Sequence, residues 1–455
     1  MELSNLTAIS PIDGRYGSKT ECLRPLFSEY ALIKYRLFVE IAWIQTLAEA
    51  PAIEELSPLD KDSQSFLTAL FDHFKIEDAR AVKTFEKQCN HDVKSVEYFL
   101  QSKLDQHDTL KAIKSFIHFA CTSEDINNLA YACILKQAKE ITVQEIDKLI
   151  ETLAQFAHQY ADIAMLARTH GQAATPTTFG KEMAVYVARL RQQRDRLANV
   201  AIVGKCNGAT GNYNAHLIAY PDVDWQQLSR HLVEKKLDLT WTTYTTQIEP
   251  HDYVAELMHA LMRCNSILLD FARDIWNYIA MHYLKQKPLA GEVGSSTMPH
   301  KVNPIDFENA EGNIGIANAL MAHFADKLTI SRLQRDLSDS TVFRNIGMGF
   351  AYSAIAYQSL SKGIEKIEIN AEKMADDLDN NWEVLAEAIQ TVMRRYGIAD
   401  AYEQLKSMTR GKKLTPQIFQ AFIEQLPISE QDKIRLKNLT PHHYLGLATT
   451  LATDI

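Results

Sequence analysis

Apolar residues recur along most of this chain at steps of three and four, the period of a helix with one buried face. Ile146, Leu149, Ile150, Leu153, Phe156, Ala157 and Tyr160 mark one such face. Val254, Leu257, Met258, Leu261, Leu268, Phe271, Ile275, Tyr278 and Ile279 mark another, between Pro250 and Pro288. This second pattern predicts a helix over about 251–284, about 50 Å long at 1.5 Å per residue. A helix of that length needs companions, and stretches near 172–200, 305–333 and 340–362 supply candidates. Strict apolar/polar alternation is almost absent. The expected fold is all-α, a bundle of long helices. Asp105–Asp108 is a polar interruption, Gly363 is expected to end the segment that starts at Asn345, and Asn370 to cap the next helix. These breaks suggest three helical domains: 1–110, a central bundle 111–364 carrying a Gly/Ser loop, and 365–455.

Composition agrees with long elements. Only 17 Gly and 13 Pro occur in 455 residues, well below average usage of roughly 7% and 5%. Apolar residues make up 46% and charged residues 23%, enough for a large core and too apolar for a disordered chain. Lys plus Arg is 48 and Asp plus Glu is 57, a net charge of −9, which disfavours general nucleic-acid binding. Any anion must be held by a few local Arg or Lys residues and backbone N–H groups. Six scattered cysteines without C-x-x-C argue against a disulfide framework or a cysteine zinc site. Met1–Ser10 has no cationic start and no apolar core, so no secretory signal is expected. The longest charge-free run, Asn345–Ser361, is too short and polar for a membrane span and reads as a buried helix. A cytoplasmic protein is expected.

The chemistry-bearing stretch is Gly291-Glu-Val-Gly-Ser-Ser-Thr-Met-Pro-His-Lys-Val-Asn303. A Gly/Ser loop alone reads as a flexible connector. Here paired hydroxyls are followed by Lys301 and Asn303, a cation and an amide beside a possible nucleophile or base. That grouping suits a developing carboxylate or enolate dianion. No dinucleotide fingerprint, P-loop or zinc-protease motif occurs, so neither cofactor nor metal is expected.

Ser-Ser-x-Met-Pro-x-Lys-x-Asn at 295–303 resembles the signature of the fumarase/aspartase superfamily. Pro11-Ile-Asp-Gly-Arg-Tyr16, Asn90-His-Asp92, Thr122-Ser123, Arg168-Thr-His-Gly-Gln172, Thr246-Gln-Ile-Glu-Pro-His251 and Ser340-Thr-Val-Phe-Arg344 extend the resemblance, specifically to the bacterial adenylosuccinate lyases. The likeness spans nearly the whole chain. It implies cleavage of adenylosuccinate to AMP and fumarate, and of SAICAR to AICAR and fumarate, without a cofactor. It also implies a homotetramer whose sites draw on several chains.

Residue by residue, the resemblance makes Ser295 the general base and His170 the general acid, with His91 second choice. Imidazole as a residue type titrates near neutral pH. Thr122, Ser123 and Ser296 become hydroxyl donors to the carboxylates, and Lys301 and Asn303 stabilise the dianion. Arg15, Tyr16, Arg335, Ser340 and Arg344 are assigned to substrate, Gln247 and Asn309 to the succinyl or base portion. Asn90 and Asp92 fall in a matching segment and join the binding set. Asp339 or Glu249 is available to orient a partner. Ala173 stands where many relatives have proline, with a small effect on stability expected. Two other readings stay open: a different fumarate-releasing lyase of the argininosuccinate lyase type, and a non-catalytic scaffold. The arginine set speaks against the first, and joint retention of Ser295, Lys301, Asn303 and His170 against the second.

Overall fold

The computed structural model describes residues 1–287, 297–298, 301–409 and 414–455. Over these described residues it is all-α, with four pairs of strands two or three residues long. Its longest helices are Ser123–Gln159, Phe179–Ala198, Asp252–Ala280, Ile305–Leu328 and Ile346–Glu365. The chain folds into two compact units, each assembled from three separate stretches of sequence. The first comprises Met1–Glu145, Gln193–Asn265 and Gly312–Gln358, the second Ile146–Gln192, Ser266–Glu311 and Ser359–Ile455.

In the first unit, helices Glu29–Ala48, Lys61–Asp72, Ile76–Cys89 and Asp92–Leu104 enclose a core around Ile33, Leu37, Leu67, Val82, Val96 and Phe99. Local chemistry starts them: the Ala31 and Ser63 N–H groups donate to the side chains of Ser28 and Asp60, the usual N-cap arrangement. Glu29–Ala48 is buried around most of its circumference and therefore shows no one-sided stripe. It carries Arg36 and Glu40 into the interior, both fully enclosed. Each meets an opposite or titratable partner there, as a buried charge must.

The second unit places Leu378, Leu385, Ile389, Met393, Phe419 and Ile423 in one core. Leu284–Gln286 pairs antiparallel with Ile367–Ile369. The start of Phe179–Ala198 lies so close to 157–161 that a Cβ on Gly180 would sit 2.4 Å from the Ala157 carbonyl oxygen.

Three sequence expectations need correction. The helix expected over 251–284 ends at Ala280 and gives way to a strand at Leu284. The stretch from 172 begins as a strand, and its helix starts only at Phe179. Gly363 does not end its helix, which runs on to Glu365. The glycine is there because a Cβ would meet Phe307 Cζ at 2.9 Å. Asn370 does occupy the N-cap position of Ala371–Asp379, but its side chain donates to the His282 carbonyl instead. The charge-free run near 345–361 is a largely buried helix, and no described helix is long and apolar enough to cross a membrane.

Candidate active site

The start of the helix Ser123–Gln159 organises the first unit's polar groups. Asp125 accepts from the Thr122 N–H at 2.8 Å, one half of a capping box. The same carboxylate accepts from the Asn207 N–H at 2.9 Å and the Gly208 N–H at 3.1 Å. It also pairs with Lys205 Nζ at 2.9 Å, both side chains being wholly buried. Asn128 holds the Lys205 backbone from the other side, donating to its carbonyl and accepting from its N–H. Next to Asp125, Glu124 meets Arg335 at 3.1 Å. Arg335 donates to Gln247 Oε1, and Gln247 Nε2 donates to the Ala209 carbonyl. Thr122, Gln247 and Arg335 are thereby tied into one network, with Ser123 between Thr122 and Glu124 in the chain. Gly208 and Gly211 have φ of +83° and +77°, the left-handed backbone that glycine accommodates without strain.

A second cluster centres on Asp92, which meets Arg36 at 2.7 Å and Arg344 at 2.9 Å. Burial opposes its charge, but the two guanidinium groups outweigh that and hold its pKa below the usual carboxylate value. Arg344 also reaches Glu29 and lines a cavity of about 320 Å³ with Asp13, Arg24 and Phe27. Asn90 ends its helix in left-handed conformation, and His91 Nδ1 accepts from the Lys94 N–H as an N-cap. Ser340 joins Glu124, Tyr131, His251 and Asp339 around a small cavity. Burial raises the Asp339 carboxyl, lifts Glu249 to about 8 and depresses His251. Arg15 is exposed and Tyr16 half-buried, in a turn closed by the Tyr16 N–H on the Pro11 carbonyl.

In the second unit, His170 and Gly171 form the two-residue turn of the hairpin Arg168–Thr169/Gln172–Ala173. Their φ values are +54° and +75°, as a type I′ turn requires. The turn presents His170 as an exposed side chain. Arg168 anchors the hairpin on Asp377, which Tyr283 and Lys373 also bind. Lys301 is exposed, its N–H on the Met298 carbonyl. Asn303 is half-buried, and Asn309 accepts from the Ser359 hydroxyl. Ser295 and Ser296 lie outside the described residues.

Cys121, Asp125 and Cys206 form the one grouping of metal-type ligands among the described residues. Asp125 is already saturated by three N–H groups and an ammonium. A cation there would face Lys205, so the trio does not fit a metal.

Comparison with known proteins decides the family. Residues 14–318 match a lyase family model, and residues 331–445 match an adenylosuccinate lyase C-terminal model. The chain is 54% identical to the adenylosuccinate lyase of Escherichia coli K12 over the full length of both. It is 56% identical to that of Legionella pneumophila Philadelphia 1 over 99% of both. The chain belongs to the adenylosuccinate lyase family. Its fold is that of the wider superfamily. A fumarate lyase from Mesorhizobium sp. BNC1 superposes with a TM-score of 0.76 at 19% identity, over 95% of this chain and 97% of that one. A 3-carboxy-cis,cis-muconate lactonizing enzyme from Pseudomonas putida superposes with a TM-score of 0.71 at 22% identity, over 95% and 96%.

Against this family background, the two clusters contain residues that sequence reasoning passed over: Glu124, Asp125, Lys205 and Asn207 in the first and Arg36 in the second. The spacing Thr122-x-x-Asp125 carried a signal, since it is that of a capping box. Lys205 carried none, because its partner lies 80 residues away in sequence.

Proposed function

We propose that this chain cleaves adenylosuccinate to AMP and fumarate, and SAICAR to AICAR and fumarate, as a cytoplasmic homotetramer. The observation that carries the reading is full-length identity of 54% to an adenylosuccinate lyase. The reaction is a β-elimination. Ser295, as an alkoxide, takes the proton from the carbon beside a succinyl carboxylate. The electron pair left behind spreads into that carboxylate and then forms the carbon–carbon double bond as the C–N bond breaks. His170 delivers the proton to the departing nitrogen.

The dianion needs donors aimed at charge as it develops; Lys301 and Asn303 take that role, with Thr122, Ser123 and Ser296 on the carboxylates. His91, the alternative acid, already caps a helix with Nδ1, which favours a positioning role. Asn90 and Asp92 shape the same corner, Asp92 by orienting Arg344. Arg15, Tyr16, Arg335, Ser340 and Arg344 bind the nucleotide phosphate and sugar side, since guanidinium groups offer bidentate contacts. Gln247 and Asn309 hold the base or succinyl portion.

Two features support a shared site in a tetramer. The His170 side chain projects from a hairpin tip. The helix Ile305–Leu328 leaves an open surface at Gly312 and Gly315, where an added Cβ would touch nothing, beside exposed Ile316.

The test is substrate choice. Purified protein is given adenylosuccinate and argininosuccinate in separate assays, and fumarate release is followed. Turnover of adenylosuccinate alone is expected. Turnover of argininosuccinate alone would overturn the assignment, and release from neither would move it to a non-catalytic scaffold.

A further inference from the structure

The buried Lys205–Asp125 pair serves no step of the elimination, yet it is an expensive feature. Two charges taken from water lose solvation that their attraction recovers only with good geometry and further hydrogen bonds. An apolar pair of similar size would often be as stable. Here the carboxylate has its further hydrogen bonds, and Lys205 Nζ adds a long contact to the Gly208 carbonyl at 3.4 Å; they join parts of the chain far apart in sequence. Asp125 Oδ2 receives the Thr122 and Gly208 N–H groups, and Oδ1 receives the Asn207 N–H and Lys205 Nζ.

A closed ring of contacts passes through this carboxylate. It runs from Asp125 to Gly208 and, along the chain, to Ala209. The Ala209 carbonyl takes Gln247 Nε2 at 3.0 Å, and Gln247 Oε1 takes Arg335 at 3.2 Å. Arg335 then returns to Glu124, next to Asp125, at 3.1 Å. Asn207 adds a strut, its side-chain amide on Thr245 Oγ1 at 2.7 Å. Displacing Asp125 therefore moves Thr122, the 207–209 turn and Gln247 together.

On the lyase reading of Thr122, Ser123, Gln247 and Arg335 as substrate-facing groups, we infer that Asp125 and Lys205 are positioning residues. They lock the Thr122–Ser123 turn and the Gln247–Arg335 pair in one register, so that donors to the succinyl carboxylates and contacts to the rest of the substrate are aligned before substrate arrives. Both side chains are wholly buried, and neither has a part in the elimination as written above. Lys205 neutralises the carboxylate, which lets three N–H donors converge on it without leaving a net charge inside the protein.

The test removes both charges together, as Asp125→Asn with Lys205→Met, so that neither is stranded in the interior. Wild type and variant are compared as full-length protein for Tm, for kcat/KM on adenylosuccinate, and for inhibition by fumarate. Positioning predicts a folded variant with Tm within a few degrees of wild type. Its kcat/KM falls at least tenfold and its fumarate inhibition constant rises by a similar factor, because the same donors contact both ligands. A role in stability alone would lower Tm and leave both constants unchanged in the folded fraction, which overturns the proposal. Failure of the double variant and of Asp125→Asn alone to fold would overturn it too, by making the pair a folding element. Wild-type turnover of adenylosuccinate is the control, and its absence would count against the lyase reading rather than against the pair.

Discussion

Single residues in the first unit hold unusual protonation states, and these make stability depend on pH in opposite directions. Glu249 is buried with its pKa raised to about 8, against 4.5 when free. The folded protein therefore keeps a proton that the unfolded chain releases. The stability this gives is complete below pH 4.5 and is lost as pH rises toward 8. At pH 7 the loss amounts to roughly 3 kcal/mol. Glu249→Gln mimics the protonated acid, so its Tm should exceed that of wild type at pH 7 and vary less between pH 5 and 8. An unchanged Tm at pH 7 would mean that the carboxyl is ionised in place. His216 has the opposite sense. Buried beside Trp225 and Tyr213, it is depressed to about 4. Stability is complete above pH 6.5 and falls as pH drops toward 4, because only the unfolded chain takes up the proton. His216→Phe should remove that slope, with wild type losing more Tm than the variant between pH 7 and 5. Residue types and segment order let the sequence nominate Thr122, Gln247 and Arg335, which one network joins, and Asp92 and Arg344, which pair in another. Of the Asp125 hub only the capping-box spacing to Thr122 was legible, since its other partners come from 205–208 and share no local pattern with it.

Helices were legible because a 3.6-residue period persists over many turns. The strands were not, because two or three residues are too few for alternation to register. Glycine misled at Gly363 for a related reason: its role is close packing on Phe307, which no local rule contains. Gly180 is the stronger case. An added Cβ would lie 2.4 Å and 2.7 Å from backbone atoms of Ala157 and Ala161, and backbone cannot swing aside as a side chain can. Gly180→Ala should therefore cost about 3 kcal/mol or more by denaturant titration, although alanine is the better helix former by about 1 kcal/mol. A neutral or stabilising result would show that the two segments separate freely. Ala173 illustrates the reverse. The Ala174 N–H bonds to the Ala167 carbonyl, and alternation along the ladder turns the Ala173 N–H away from it. Ala173→Pro thus breaks no ladder bond and should change stability by less than about 1 kcal/mol, with turnover unaltered.

Over the whole molecule, the resemblance of seven ordered segments extends along the chain, and the full-length relatives extend over the same range. Surplus apolar residues on the helix faces leave oligomerisation open without showing it, because a helix face that packs on a partner has the same pattern as one that packs within the chain. If each site draws on several chains, His170→Ala and Ser295→Ala subunits, each inactive alone, should regain activity when mixed tetramers form. Verified mixed tetramers without activity would contradict shared sites.

The lyase assignment stands most directly on one measurement. Purified protein is supplied with adenylosuccinate, and AMP and fumarate are quantified together, with Ser295→Ala run in parallel. Equal amounts of the two products, lost in the variant, are the predicted result. Wild type yielding neither product, or Ser295→Ala turning over at the wild-type rate, would contradict it.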